Sequence, residues 1–211
     1  MEAASALDLD AQLMLRVREG DNDSFRVLLD KHRSPLVHFL QRMVQDAGVS
    51  EELAQEVFLR IYKARSSYEP SAKFTTWMFR IASHLALNWL RDERHDRAAE
   101  RLDGAGLTDG RGNELPVREL RDLQPSVEQS LVYGIRLQEI RDSIAALPAK
   151  QRAAVLMHKY EEMEYSQIAQ ALECSESAVK SLLFRAYETL RAKLAHMDFN
   201  KPISTGKESG K

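Results

Sequence analysis

Apolar residues in the N-terminal half of the chain recur at spacings of three and four, the period of an α-helix that is buried on one face. One run covers residues 25–43, a second covers 53–61 and a third covers about 74–95. We expect Pro35 at a helix start or a kink in the first run, and Ser50 as the N-cap of the second. Strand-like alternation is almost absent, so the pattern predicts a small helical bundle.

The C-terminal half has the same spacing and ends in two short helices. A run over residues 135–160 is interrupted by Pro148. The stretch YSQIAQALECSESAVKSLLFRAYETLR, residues 165–191, then predicts two helices that meet at a tight turn, with Ser166 and Ser175 as their N-caps. This pattern is typical of a helix-turn-helix, although an ordinary helical hairpin fits the spacing equally well.

The two halves are separated by a segment of different composition, residues 94–125, which is rich in glycine and charge and lacks helical periodicity. Connections of this length are uncommon inside a compact domain. The sequence therefore predicts an all-α fold of two small helical domains joined by a flexible linker. The expected boundaries are an N-terminal extension at 1–22, a first domain at 23–95, a linker at 96–134, a second domain at 135–196 and a disordered tail at 197–211.

Composition excludes several classes of protein. The formal net charge of −2 over 211 residues is too negative for a protein that holds DNA by bulk charge alone. One cysteine and six scattered histidines predict no disulfide and no metal site. Neither a glycine-rich phosphate loop nor a nucleophile motif is present, so we expect no catalytic residues and no cofactor. With no signal peptide and no long apolar span, the sequence predicts a cytoplasmic protein without membrane insertion.

The segment KARSSYEPSAKFTTW, residues 63–77, interleaves aromatic rings with cations. This combination suits single-stranded nucleic acid, because rings stack on unpaired bases while cations follow the phosphates. The alternative is that Phe74 and Trp77 belong to the core and that the cations are merely solvated.

Three quoted stretches together resemble a known family. SEELAQEVFLRIYKA (50–64), followed by FTTWMFRIASHLALNWLRDER (74–94), is similar to region two of the bacterial RNA polymerase sigma factors of the extracytoplasmic-function (ECF) subfamily. LPAKQRAAVLMHKYEEMEYSQIAQALECSESAVKSLLFRAYETLRAKL (147–194) is similar to their region four. Both regions occur in the family's order, which makes the resemblance specific. The sequence departs from the family pattern at Ser83 and His84, where arginine and asparagine are expected.

The resemblance implies three binding surfaces. The surface for core RNA polymerase would contain Glu52, Gln55, Glu56, Phe58 and Arg60. The surface for the melted minus-ten promoter element would contain Lys63, Tyr68, Lys73, Phe74, Trp77, Arg80, Asn88 and Arg91. The surface for the duplex minus-thirty-five element would contain Ser175, Ser177, Ala178, Lys180, Ser181, Phe184 and Arg185.

The implied function is promoter-specific transcription initiation, for a stress or envelope-response regulon. The implied partners are core RNA polymerase, promoter DNA as duplex and as melted non-template strand, and an anti-sigma factor. A protein of a different class fits the same residues: a dimeric helix-turn-helix regulator with an N-terminal sensing or dimerisation domain. Such a regulator would bind palindromic duplex by itself, whereas a sigma factor needs polymerase. A purely protein-binding adaptor would associate with polymerase without promoter specificity.

Overall fold

The structure is a computed structural model that describes residues 8–102 and 127–197, with side chains described over 8–95 and 134–197. The N-terminal unit contains α1 (Leu9–Arg18), α2 (Asn22–Val44), α3 (Ala47–Lys63) and α4 (Phe74–Leu102), with a 3-10 turn at Arg65–Ser67. The C-terminal unit contains α5 (Val127–Ala145), α6 (Ala149–Lys159), α7 (Tyr165–Ala171) and α8 (Glu176–Lys193). The described elements are all helical, which confirms the all-α fold.

The predicted linker and tail fall largely outside the described residues. Helix α4 continues to Leu102 and α5 begins at Val127, so both ends of the predicted linker are helical. Residues 103–126 and 198–211 lie outside the described part of the chain. The domain boundaries therefore stay predictions.

Two of the three predicted N-caps are wrong. Helix α3 begins earlier than expected, because the Asp46 side chain accepts a hydrogen bond from the backbone N–H of Val49 at 2.9 Å. Ser50 instead lies inside that helix, where its buried hydroxyl donates to the carbonyl of Asp46. Helix α7 is likewise capped before Ser166, at Glu164. Short polar side chains can satisfy a helix start or bond back to the preceding turn, and spacing alone does not distinguish the two.

Pro35 lies inside α2, with its ring on the exposed side of the helix. The helix nevertheless runs unbroken for 23 residues. Helix α2 is thus one long element, so a helix start at Pro35 is wrong, and a kink there stays a prediction.

The apolar positions that predicted the helices form the core. Leu28, Leu36 and Leu40 on one side of α2 are fully buried. Phe39 of α2 meets Phe79 of α4 edge-on, with 5.1 Å between the ring centroids. Burying such aliphatic and aromatic side chains is the main favourable term in folding, so the 3.6-residue period decides the packing of the bundle.

The two units pack directly against each other. Helix α4 contacts α7, and α2 contacts α6. The buried apolar cluster accordingly includes residues from both units, such as Met43 and Leu156. The helix-turn-helix therefore rests on the N-terminal bundle.

Candidate nucleic-acid and protein interfaces

Helix α8 presents a polar, cationic face to solvent and buries the opposite face. Ser175 caps this helix, as predicted, by accepting a hydrogen bond from the backbone N–H of Ala178 at 3.2 Å. Val179 and Leu183 are buried, whereas Phe184 is 68% exposed. The amphipathic pattern thus anchors one face of α8 and leaves the other free for a ligand.

The structure brings the predicted minus-thirty-five residues together on that free face and the turn before it. Ala178 is half-buried, and the remaining six are exposed or lie at the exposed start of the helix: Ser175, Ser177, Lys180, Ser181, Phe184 and Arg185. An α-helix of this kind fits the major groove of duplex DNA, where hydroxyls and cations can meet base edges and phosphates. Contact with DNA itself stays a prediction for these residues.

A tight turn sets the angle between α7 and α8. The backbone N–H of Cys174 donates to the carbonyl of Ala169 at 3.0 Å. Glu173, in the same turn, has a left-handed backbone with φ of 50°. A non-glycine residue in this region costs about 1 kcal/mol, so the surrounding contacts must hold it there.

The candidate minus-ten surface has two layers, and its outer layer is cationic. Lys63 and Lys73 lie at the surface on either side of the loop, and Arg80, Asn88 and Arg91 follow along α4. These side chains lie at the end of α3, in the following loop and along α4, where they can follow a phosphate backbone.

The inner layer consists of aromatic rings that the sequence assigned to DNA stacking. Phe74 is fully buried and Tyr68 is 5% exposed. Trp77 is half-buried and packs against Tyr68, with 5.0 Å between the ring centroids. Burial raises the pKa of Tyr68 to about 12, with nearby Asp8 and Asp10 adding to the effect. In this conformation both rings belong to the core and support the loop from below, and contact of Tyr68 and Phe74 with DNA stays a prediction.

Helix α1 holds this loop at both ends, which the sequence interpretation missed. The Arg18 guanidinium donates from Nη1 to the carbonyl of Tyr68 at 3.2 Å. The Asp8 carboxylate accepts from the backbone N–H of Phe74 at 3.2 Å, at the first residue of α4. Asp8 also caps α1 itself, through the N–H of Ala11. An aspartate followed by apolar residues three apart was the signal for this helix, which lies in the segment predicted as an N-terminal extension.

A buried polar cluster fixes α1 on α2. Asp10 accepts hydrogen bonds from Lys31 at 2.6 Å and from His32 at 2.9 Å, and both Asp10 and His32 are buried. Burial lowers the pKa of His32, although the Asp10 carboxylate opposes that shift. A neutral imidazole that donates its Nε2–H to the Asp10 carboxylate agrees with both the burial of the ring and the hydrogen bond. The cluster thus makes α1 an integral part of the bundle.

Four of the five predicted polymerase-binding residues lie at the surface of α3, and the fifth, Phe58, is buried. Glu52 is exposed, Gln55 lies at the surface, and Glu56 accepts a hydrogen bond from Arg60 at 2.6 Å. Phe58 is 6% exposed and lines an apolar groove between α2 and α3.

That groove adds residues that sequence reasoning missed. Leu59, next to Phe58, is 44% exposed and lines the groove together with Phe25, Leu29 and Tyr62. A contiguous apolar groove that also has polar side chains in its lining is a candidate protein-binding surface. The sequence did contain a sign of this exposure: Leu59 does not share the three-and-four spacing of the buried residues Val57, Phe58 and Ile61.

Neither a metal-binding cluster nor a membrane-spanning helix is found among the described residues. Within residues 8–102 and 127–197, no group of three or more histidine, cysteine, aspartate or glutamate side chains is arranged to hold a metal ion. Over the same residues, no helix combines the length and the apolar character needed to cross a membrane.

Comparison with protein families matches both halves of the chain. Residues 28–96 match Sigma-70 region 2, and residues 137–190 match Sigma-70 region 4. Among solved structures, CnrH in complex with the cytosolic domain of CnrY shares the fold, with a TM-score of 0.64, 18% identity, and coverage of 89% of this chain and 98% of that one. The sigma factor RpoE of Bartonella quintana, solved with the anti-sigma factor NepR, gives a TM-score of 0.58, 18% identity, and coverage of 82% and 98%.

Curated relatives extend the match over nearly the whole chain. RNA polymerase sigma factor CarQ of Myxococcus xanthus is 30% identical over 186 residues, which cover 88% of this chain and 97% of CarQ. The ECF sigma factor SigW of Bacillus subtilis is 29% identical, over 85% of this chain and 93% of SigW. The RNA polymerase sigma-H factor of Pseudomonas aeruginosa is also 29% identical, over 86% and 91%. The chain belongs to the ECF sigma factors, non-enzymatic proteins that bind core RNA polymerase and promoter DNA and direct transcription initiation.

Proposed function

We propose that this chain divides promoter recognition among three of its surfaces. The α3 face with Gln55, together with the groove edge at Leu59, binds core RNA polymerase. The cationic layer from Lys63 along α4 holds the melted minus-ten element. The exposed face of α8 binds the minus-thirty-five element as duplex.

The exposed face of α8 carries this proposal. It combines Lys180, Arg185 and the exposed ring of Phe184 on a helix whose opposite side is buried. No packing requirement within the described unit explains a large apolar ring that is 68% exposed beside two exposed cations. Contact with the thymine methyl groups and phosphates of a major groove would use all three side chains.

Energetics explain why polymerase must act together with these surfaces. Opening on the order of ten base pairs costs roughly 14 kcal/mol, at about 1.4 kcal/mol per stacking step. Bases that stack on protein return only about 1–3 kcal/mol each. A chain with net charge −2 therefore cannot melt DNA alone. Once polymerase tethers both DNA-binding units, each contact raises the effective concentration of the other.

The cellular setting of the chain is the finer part of the proposal. We place it in the cytoplasm, where it serves a stress or envelope-response regulon and is held inactive by an anti-sigma factor. The relative from Bartonella quintana that was solved with the anti-sigma factor NepR supports such a partner. The chemistry of the α2–α3 groove, apolar with a polar rim, suits either polymerase or a competing helix.

The deciding experiment mixes the purified protein with sigma-free core polymerase and a library of genomic promoter fragments, then sequences the run-off transcripts. Discrete start sites that share two upstream elements, and that require the protein, are the expected result. Active polymerase that gives no protein-dependent starts would contradict the proposal and favour a regulator that binds duplex DNA by itself.

Binding of two surface variants to core polymerase tests the polymerase-binding role by itself. Gln55→Ala with Leu59→Ala should lower binding to core polymerase and leave the fold intact, since neither side chain is buried. Val27→Ala is the matched control, because Val27 is an apolar residue of α2 that is 51% exposed and does not line the groove. Equal binding by the double variant and the control would rule out the groove edge as the polymerase site.

A further inference from the structure

The cation at the start of the minus-ten loop, Arg65, is engaged within the protein. Its guanidinium lies over the ring of Tyr62, 4.1 Å from the ring centroid, and Nη1 donates to the carbonyl of the same tyrosine at 2.9 Å. The Arg65 side chain is half-buried, whereas Lys63 and Lys73 are exposed. Arg65 is thus bound to the end of α3 and differs from the two exposed cations, which can follow a phosphate backbone.

Arg65 also begins the turn that shapes the loop. It is the first residue of the 3-10 turn Arg65–Ser67, and its carbonyl accepts a hydrogen bond from the backbone N–H of Tyr68 at 3.3 Å. The Arg18 guanidinium donates to the carbonyl of the same tyrosine. The side chain of Arg65 therefore fixes the backbone that leads into the buried ring on which the loop rests.

The ring beneath Arg65 belongs to the α2–α3 groove. Tyr62 lines that groove, where its ring packs against Phe25 with 5.0 Å between the ring centroids. The Tyr62 hydroxyl donates to the side-chain oxygen of Asn22, at the start of α2, at 3.1 Å. One ring thus forms part of the groove wall and also holds the guanidinium from which the loop starts.

The hold of Tyr62 on Arg65 depends on the surrounding water. A cation–π contact is weak while water surrounds the cation and gains strength when the pair is desolvated. In the free chain both side chains are half-buried. A polymerase segment that lies in the groove removes water from Tyr62 and so strengthens its contact with Arg65. Binding in the groove and ordering of the loop are then linked, and each favours the other.

We propose that Arg65 is a positioning residue for the melted minus-ten element, and that its contact with Tyr62 transmits polymerase binding in the groove to the loop. The pair fixes the first turn of the loop against the end of α3, so that the cations of the surface are presented in one arrangement. Arg65 supplies geometry and makes no phosphate contact of its own. The inference rests on the proposed assignment of the groove to polymerase and of the loop to melted DNA.

The first test separates geometry from charge. Arg65→Lys keeps the positive charge but loses the planar guanidinium that stacks on a ring. Arg26→Lys is the matched control, at an exposed arginine of α2 that does not line the groove. Hydrogen exchange of the loop, residues 64–73, is measured by mass spectrometry with and without sigma-free core polymerase. Core should slow the exchange in the wild type and the control, and the slowing should be about fivefold smaller in Arg65→Lys, as expected for loss of one cation–π contact.

Two changes at Tyr62 identify the group that holds Arg65. Tyr62→Phe keeps the ring but loses the hydrogen bond to Asn22, and it should behave as the wild type. Tyr62→Leu keeps an apolar side chain in the groove but removes the ring, and it should lose the slowing as Arg65→Lys does. Each variant is measured at a saturating concentration of core, because Tyr62 also lines the groove. The contact is overturned if Tyr62→Phe loses the slowing as fully as Tyr62→Leu, or if Arg65→Lys matches Arg26→Lys.

Transcription tests the role of the contact in initiation. With saturating core, Arg65→Lys and Arg65→Ala should both give about fivefold less run-off product than Arg26→Lys, because each loses the stacked guanidinium. Full activity of Arg65→Lys with a loss in Arg65→Ala would show that only charge matters and would overturn the positioning role. A wild type that supports no transcription would defeat the proposed function, while the exchange measurement would still decide whether polymerase orders the loop through Arg65.

Discussion

The two candidate DNA surfaces combine aromatic rings with cations, but they are built in opposite ways. On α8, Phe184 lies outside beside Lys180, and the aliphatic residues beneath it form the core. In the loop before α4 and at the start of that helix, Tyr68 and Phe74 lie inside, and the cations remain outside. An aromatic and cationic stretch therefore indicates a candidate nucleic-acid surface, and the neighbouring helices decide whether its rings bind a ligand or support the backbone that does.

The largest expected effect comes from removing a buried ring beneath the candidate minus-ten surface. Phe74→Ala should lower the free energy of unfolding by about 3–5 kcal/mol, because it removes a fully buried ring and leaves a cavity. Phe184→Ala, the matched change at an exposed ring, should alter stability by less than about 0.5 kcal/mol. Urea denaturation followed by circular dichroism measures both. Equal midpoints for the two variants would refute the assignment of the rings to opposite layers.

The next effect removes charge from the outer face of α8. Lys180→Ala with Arg185→Ala should make the binding free energy of holoenzyme for a promoter with a minus-thirty-five element less favourable by about 1–3 kcal/mol if one of the two side chains contacts a base. The slope of log affinity against log salt should fall by about 1 for each phosphate that the variant no longer neutralises. Binding of holoenzyme to promoter fragments, measured over a salt series, gives both quantities.

The control for that pair lies at the other end of the same helix. Arg191→Ala with Lys193→Ala removes the same charge from exposed positions in the last turn of α8. The recognition face would be misplaced if this pair reduced affinity and the salt slope as much as the first pair does. Binding to core polymerase without DNA should be unchanged for both.

A smaller effect tests whether α1 positions the loop. Arg18→Ala removes the hydrogen bond to the carbonyl of Tyr68 and should reduce initiation about fivefold, equivalent to about 1 kcal/mol, which is typical of one hydrogen bond made by an exposed side chain. Arg16→Ala is the control, since Arg16 is another arginine in the last turn of α1. Run-off transcription at saturating core polymerase measures the change. Similar losses for the two variants would mean that α1 contributes charge to the holoenzyme and does not position the loop.

The helices and the recognition face could be predicted because they depend on local spacing. Apolar residues three and four apart determine the buried sides of α2, α3 and α4, and the same rule leaves Lys180 and Arg185 outside on α8. Helix α1 was missed because it is only ten residues long and its anchor, Asp10, is a buried carboxylate that composition assigns to the surface.

The remaining features depend on residues far apart in the chain. Arg80 forms an ion pair with Glu173, 93 positions away, and Arg152 donates to the carbonyl of Met43, 109 positions away. No periodicity in either segment indicates such a partner, because an exposed arginine or glutamate satisfies the local pattern whether or not it is paired. The burial of Tyr68 also could not be predicted from local spacing. Helix α1 packs against the loop that contains Tyr68, and the apolar pattern did not predict α1.

The smallest expected effect concerns Glu161, which lies where the two units meet. Burial raises the pKa of Glu161 to about 7, although the nearby Arg42 opposes that shift. The folded chain therefore retains a proton that the unfolded chain loses above about pH 4.5, so the contribution of Glu161 to stability falls between about pH 4.5 and 7 and is unfavourable above that. Because the side chain is partly exposed, Glu161→Gln should stabilise the protein by at most about 1 kcal/mol at pH 8 and leave it almost unchanged at pH 5.

Urea denaturation at the two pH values checks this expectation. Glu162→Gln is the control, since it removes the same charge from an exposed position in the same turn. The difference between the two variants isolates Glu161, because every other carboxylate titrates in both. A gain from Glu161→Gln that is equal at pH 5 and pH 8 would show that the effect is general charge repulsion and does not come from a desolvated carboxyl group at the contact between the units.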